Sequence, residues 1–122
     1  MGHEFEALSG RVLGAAVDVH KTLGPGFLES IDQRAMEVAL SNRAVPFERQ
    51  KVIRIAFEGI EVGFHRLDLV VDSQIVVELK AVKAFEDIHY VQVKSHLKAS
   101  GLKVGLLLNF NATTLAIKRV VL

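Results

Sequence analysis

Leu8, Val12, Ala16, Val19 and Leu23 recur at helical spacing and predict a first amphipathic helix. Gly24-Pro25-Gly26 then breaks the chain. A second helix is expected from about Leu28 to Arg43, with Ile31, Ala35, Val38 and Ala39 facing inward and Pro46 closing the connection. The period changes in the middle of the chain. Val52, Ile53, Ile55 and Phe57 mark a strand over residues 48–57, and Glu58-Gly59 marks a turn. Glu61 to Val71 forms a second strand, Asp72-Ser73 another turn, and Gln74 to Ala81 a third strand. Three strands on short turns make an antiparallel meander. His89 to Ala99 returns to helical spacing, with Gly101 near its end. Lys103 to Asn109 is an apolar run suited to a covered strand, and Ile117 to Leu122 can add an edge strand.

The order αα-βββ-α-β implies an α/β fold: a mixed sheet flanked by helices, expected as one domain over residues 1–122. The crossover from the third strand through the helix to the fourth is expected to be parallel and right-handed. The length suits one domain with a real core, and a hydrophobic share of 50% argues against disorder. No apolar run is long enough to span a membrane, and the start lacks the basic-then-apolar layout of a signal peptide, so a cytoplasmic location is expected. With no cysteine, disulfides, thiolate catalysis and zinc on sulfur are excluded. Any metal must sit on carboxylates or imidazoles.

The net charge of +1 does not by itself mark a nucleic-acid binder. Its distribution is uneven: residues 1–79 hold eight Lys/Arg against twelve Asp/Glu, and residues 80–122 hold seven against two. An acidic part beside a basic part suits a metal site next to a phosphate-binding surface, although an ordinary solvated surface explains the charges as simply.

Strand alternation places Glu78 and Lys80 on one face of the third strand, with Ile75, Val77 and Leu79 on the other. In the neighbouring strand Asp68 shares a face with Arg66 and Phe64, and Leu67 and Leu69 lie opposite. With a suitable register Asp68, Glu78 and Lys80 converge. Two carboxylates can hold Mg²⁺ or Mn²⁺, hard cations that prefer oxygen ligands. Such an ion polarises a phosphate and lowers the pKa of a bound water. A lysine two residues after a ligand reaches the same space and can position the water or stabilise the transition state. A salt-bridged, exposed strand face would show the same alternation. Against that, the charges lie inside the apolar segments Ile75–Val82 and Leu67–Leu69, where they are costly unless paired, metal-bound or solvent-facing. Placement alone leaves both readings standing.

Val19-His20-Lys21-Thr22-Leu23-Gly24-Pro25-Gly26-Phe27-Leu28-Glu29-Ser30 resembles the opening of the GxxExxY proteins, which belong to the PD-(D/E)xK nuclease superfamily. The resemblance continues through Glu48-Arg49-Gln50-Lys51, Arg66 to Val71, Ile75 to Val82, Gln92, Gly101 to Phe110 and Ile117-Lys118-Arg119, in order over nearly the whole chain. It implies a restriction-endonuclease-like fold. Asp68, Glu78 and Lys80 match the catalytic core, with Asp68, Glu78 and the Leu79 carbonyl as metal ligands. Glu29 matches a helical glutamate that completes the metal shell, and Gln92 a helical glutamine that assists substrate or lysine positioning. Without the resemblance, Glu29 reads as a helix-start carboxylate and Gln92 as a solvated helix residue.

Two positions depart from the pattern. Asp32 stands where the GxxExxY tyrosine belongs, and His96 stands where RecB-type nucleases often carry tyrosine after Gln92. Asp32 is either a harmless surface residue or added negative charge near the metal; His96 can replace the tyrosine as a polar contact. The remaining histidines, His3, His20, His65 and His89, lack metal-ligand spacing and read mostly as surface residues or caps. The implied activity is Mg²⁺- or Mn²⁺-dependent hydrolysis of phosphodiesters, with DNA favoured over RNA and a homodimer plausible. The alternative is a nucleic-acid-binding or assembly module that keeps the fold without turnover.

Overall fold

The computed structural model describes residues 5–122; His3 lies outside them. The elements run α1 (Glu6–Leu23), α2 (Glu29–Asn42), β1 (Phe47–Phe57), β2 (Ile60–Val71), β3 (Ile75–Lys80), α3 (Asp87–Ser100), β4 (Val104–Asn109) and β5 (Ala116–Val121). They form a five-stranded mixed sheet in the order β1-β2-β3-β4-β5. All pairings are antiparallel except β3 with β4, which α3 connects as a parallel crossover. This is the expected restriction-endonuclease-like architecture, with Ala116–Val121 supplying the edge strand.

Local chemistry explains the boundaries. Gly24, at φ 69°, ends α1 and donates its N–H to the His20 carbonyl at 2.8 Å. Glu58 and Gly59, at φ 50° and 81°, form a two-residue turn of the kind that suits the twist of a hairpin, and Asp72 with Ser73 repeats it at 50° and 55°. Glu86 caps α3, and its N–H donates to Nδ1 of His89 at 2.9 Å. His89 is therefore a capping residue, as expected.

The sheet separates two apolar layers. On one side Leu69, Val71, Ile75, Val77, Leu79, Leu106 and Leu108 meet Val12, Ala16, Met36 and Leu40 from α1 and α2. On the other side Leu67, Val70, Val76 and Leu107 meet Val93 and Leu97 from α3. Gly105 permits the close approach of α3, since a Cβ there would lie 2.7 Å from Cγ1 of Val93.

Two expectations about facing need correction. Of the four residues expected to face inward on α2, Ala39 is buried and Ala35 packs partly buried against the core, but Ile31 and Val38 do not face inward. Ile31 and Val38 are exposed, and the buried residues are Asp32, Gln33, Met36, Glu37, Ala39 and Leu40. Polar side chains occupy half of the buried face, so the hydrophobic pattern misplaces it. Leu67 and Leu69 also do not share a face, because Leu67 packs toward α3 and Leu69 toward α1 and α2. Gln50, at φ 47°, interrupts β1 between the pairs Arg49↔Leu69 and Lys51↔Leu67, opposite Asp68. Both strands reverse their facing there: Phe47 packs with α1 and α2, whereas Ile53 packs with α3.

Candidate metal and phosphodiester site

Asp68 lies at this reversal and is reached from both layers. Its carbonyl accepts a hydrogen bond from Nε2 of Gln33 on α2 at 3.0 Å, and its Oδ2 accepts the Leu79 N–H at 2.8 Å. The β2–β3 register Leu69↔Val77 sets Asp68 beside Glu78. Glu78 is 5% exposed and points toward α3, where His96 Nδ1 meets its Oε1 at 2.7 Å. The imidazole of His96 lies 4.6 Å from that of His65, and His65 Nε2 in turn contacts Ser95 Oγ at 2.7 Å.

Burial is the main reason the Glu78 carboxyl is pushed up to about 9. The charge of Asp68 and a hydrogen bond shared with its carboxyl add to this; Lys80 and the Asp68 backbone oppose it. Burial also lowers His96, with Lys80 adding to the effect and Asp68 opposing it. Without a cation, Glu78 therefore holds a proton at neutral pH beside a neutral imidazole.

Glu29, at the start of α2, joins the same neighbourhood. Partial burial raises its carboxyl, while Lys80 and the Ala81 N–H pull it down and Asp68 adds repulsion. Lys80 thus acts on Glu29, Glu78 and His96 together. The segment after Lys80 is fixed by Asn109, whose Nδ2 donates to the Val82 carbonyl at 2.8 Å and whose Oδ1 accepts Val82 N–H at 3.1 Å. Gln92 is exposed on α3 one turn before His96, and its side chain makes no hydrogen bond among the described residues.

Asp32 is 2% exposed, so the surface reading of this residue is overturned. Burial raises its carboxyl to about 6; His20 offsets this and Glu29 adds to it. Its Oδ1 has no hydrogen-bond partner among the described residues. His20 is itself buried and ties α1 to the segment after β4 through the Ala112 carbonyl at 2.8 Å. It is neither a surface residue nor a cap.

Glu29 and Asp68 line an open cleft of about 450 Å³ together with Gln33, Arg34, Glu37, Arg49, Gln50 and Arg66. Most of these residues were missed in the sequence. Gln33 and Glu37 are four apart on a helix, the same signal that a solvated face produces. The arginines of the cleft come from the acidic half of the chain, which charge partition gave no reason to select.

The donor chemistry of Asp68 and Glu78 fits a hard divalent cation: two adjacent carboxylates, one forced to keep a proton, are relieved by positive charge. Among the described residues, no three His, Asp or Glu side chains converge closely enough to hold a metal alone. Backbone carbonyl, water or substrate oxygens would have to complete the shell.

A family model for the PD-(D/E)XK nuclease superfamily matches residues 6–120, and the chain belongs to this superfamily. Neither a curated protein nor a solved structure is significantly similar to it. The fold and the family define a nuclease-type domain. No helix among the described residues is long and apolar enough to cross a membrane.

Proposed function

We propose that this domain hydrolyses DNA phosphodiesters with Mg²⁺ or Mn²⁺, and that it belongs to the GxxExxY group within its superfamily. The observation that carries the reading is the β2–β3 register that sets Asp68 beside the buried Glu78, two adjacent carboxyls whose repulsion a cation would relieve. Asp68, Glu78 and the Leu79 carbonyl would hold the ion, with Glu29 completing the shell from α2. The ion would supply a polarised phosphate and a water of lowered pKa. Lys80 places an ammonium in the same space, suited to orienting the water or meeting charge that develops on the phosphate. His96 holds the Glu78 carboxyl, and Gln92, one turn earlier on α3, would contact substrate.

The test incubates purified protein with linear, nicked, branched and single-stranded DNA plus Mn²⁺. Cleavage of at least one substrate is expected, with losses of at least about a hundredfold in Asp68→Ala and Lys80→Ala. The reading fails if nothing is cut, or if those variants cut as well as the wild type.

One observation favours a second reading, a nucleic-acid-binding module without turnover: the described residues do not form a three-ligand cluster. Isothermal titration with Mn²⁺ separates the two, because salt-sensitive DNA binding without metal binding would support the module. A cytoplasmic homodimer suits either reading. Phe57, Ile60, Val62 and Phe64 are each exposed on the β1–β2 hairpin.

A further inference from the structure

The cleft beside Asp68 contains a network that a metal site alone does not need. Glu37 is 2% exposed, yet it lies between two arginines that are 63% and 74% exposed, Arg49 and Arg34. Arg49 donates its Nε to both Glu37 oxygens at 3.1 Å, and Arg34 donates to Oε1 at 3.2 Å. Gln33 Nε2 donates to Glu37 Oε2 at 3.0 Å and also to the Asp68 carbonyl. Burial would raise Glu37, but the hydrogen bonds from Gln33, Arg49 and Arg34 outweigh it and hold the carboxyl low. Glu37 is therefore a fixed anion under two guanidinium groups.

Stability does not explain this arrangement. Exposed arginine pairs contribute little, and a buried carboxylate costs more than an apolar side chain in the same place. The consequence is instead an excess of oriented donors. Arg49 spends only its Nε on Glu37, so its two terminal nitrogens are free of hydrogen bonds among the described residues. Arg34 spends one terminal nitrogen, and Arg66 at the same cleft forms no ion pair among the described residues. Three guanidinium groups around one cleft, with one carboxylate committed to holding two of them, match an anion with several oxygen acceptors.

We propose that Arg34, Arg49 and Arg66 form a subsite for the phosphodiester next to the one being cut, with Glu37 and Gln33 as positioning residues that tie it to Asp68. This rests on the nuclease reading, which puts the reacting phosphate at Asp68 and Glu78. The subsite then grips the same strand through its backbone, without reading its sequence.

The test measures fluorescence anisotropy of labelled single-stranded and duplex oligonucleotides in EDTA across a salt series. Arg34→Ala and Arg49→Ala should each weaken binding several-fold and flatten the salt slope by about 0.7–0.9. Both should keep wild-type Mn²⁺ affinity. Glu37→Gln adds net positive charge, so general electrostatics predicts tighter binding; loss of the positioning anion predicts weaker binding. Because Glu37→Gln can fail to fold, the exposed Arg49→Lys is a second probe. It keeps the charge, loses the fork that meets Glu37, and should bind more weakly than wild type. Unchanged affinity and salt slope in both alanine variants would overturn the subsite while leaving the nuclease reading intact. A wild type that neither binds nor cuts any oligonucleotide would remove both.

Discussion

Oδ2 of Asp68 accepts the main-chain N–H of Leu79, the residue between Glu78 and Lys80. The bond ties β2 to β3 where their antiparallel pairing, from Val71↔Ile75 to Leu69↔Val77, ends. It also leaves the rest of the Asp68 carboxylate beside Glu78, so repulsion between the two is built into the register.

Metal binding should release a proton. Glu78 is raised from its ordinary value to about 9, so in the metal-free fold it is protonated across the neutral range, whereas in the unfolded chain it ionises near 4.5. The folded state then binds more protons than the unfolded one, and stability in EDTA should fall as pH rises from about 4.5 to about 9. The limiting slope for one proton is about 1.4 kcal/mol per pH unit. Urea denaturation of wild type and Glu78→Gln checks this, with the slope expected to be smaller in the variant. Titration of Mn²⁺ at pH 7 in two buffers of different ionisation enthalpy should show about one proton released per ion. Observed heats that do not differ between the two buffers would mean that no proton is released and would contradict the protonated Glu78.

His96 should matter through Glu78. Removing the ring in His96→Ala leaves Oε1 unsupported, and loss of an outer-shell partner typically costs about 10–100-fold in metal affinity or activity. Mn²⁺ titration and cleavage should both weaken in that range. Weakened cleavage with unchanged metal affinity would mean that His96 acts on the substrate instead.

Asn109→Ala should destabilise the domain by about 2–4 kcal/mol, since it removes three hydrogen bonds from a residue 1% exposed. The loss should appear in urea midpoints. Hydrogen exchange should speed up first at Val82 and Asn111, whose N–H groups both donate to Oδ1.

Asp32→Asn should stabilise the protein at pH 8 and do so less at pH 4. The Asp32 carboxyl is raised from 3.8 to about 6, so its favourable contribution is complete below 3.8 and is lost as pH rises through 6. Thermal melts of both proteins at the two pH values measure the difference. An equal gain at both would show that ionisation of Asp32 is not the cause.

The elements were legible because their periods differ: heptad-like spacing from Leu8 to Leu23, then strand runs punctuated by Glu58-Gly59 and Asp72-Ser73. The pairing of Asp68 with Glu78 was only permitted by sequence, because register depends on contacts such as Leu69↔Val77 that periodicity does not encode. The α2 face was misread for a physical reason. Asp32, Gln33 and Glu37 are buried beside the site, and burying polar groups for their contacts is the opposite of what a hydrophobic stripe reports. Resemblance alone nominated Glu29 and Gln92. Glu29 lies within electrostatic reach of Asp68 and Lys80, whereas Gln92 has no hydrogen-bond partner among the described residues.

The reversal of facing at Gln50 and Asp68 also divides the β1–β2 hairpin into parts with different tolerance to insertion. Beyond that point Ile53 and His65 face α3, while Phe64 faces away. Extra residues at the Glu58-Gly59 tip would lengthen a solvent-exposed end and leave this order intact. One residue gained or lost between Gln50 and Ile53 would rotate the rest of that strand by half a period, bringing Ile53 out and a solvent-facing neighbour in. Length variation in this hairpin should therefore be confined to its tip, and the stem should accept substitutions while refusing insertions and deletions.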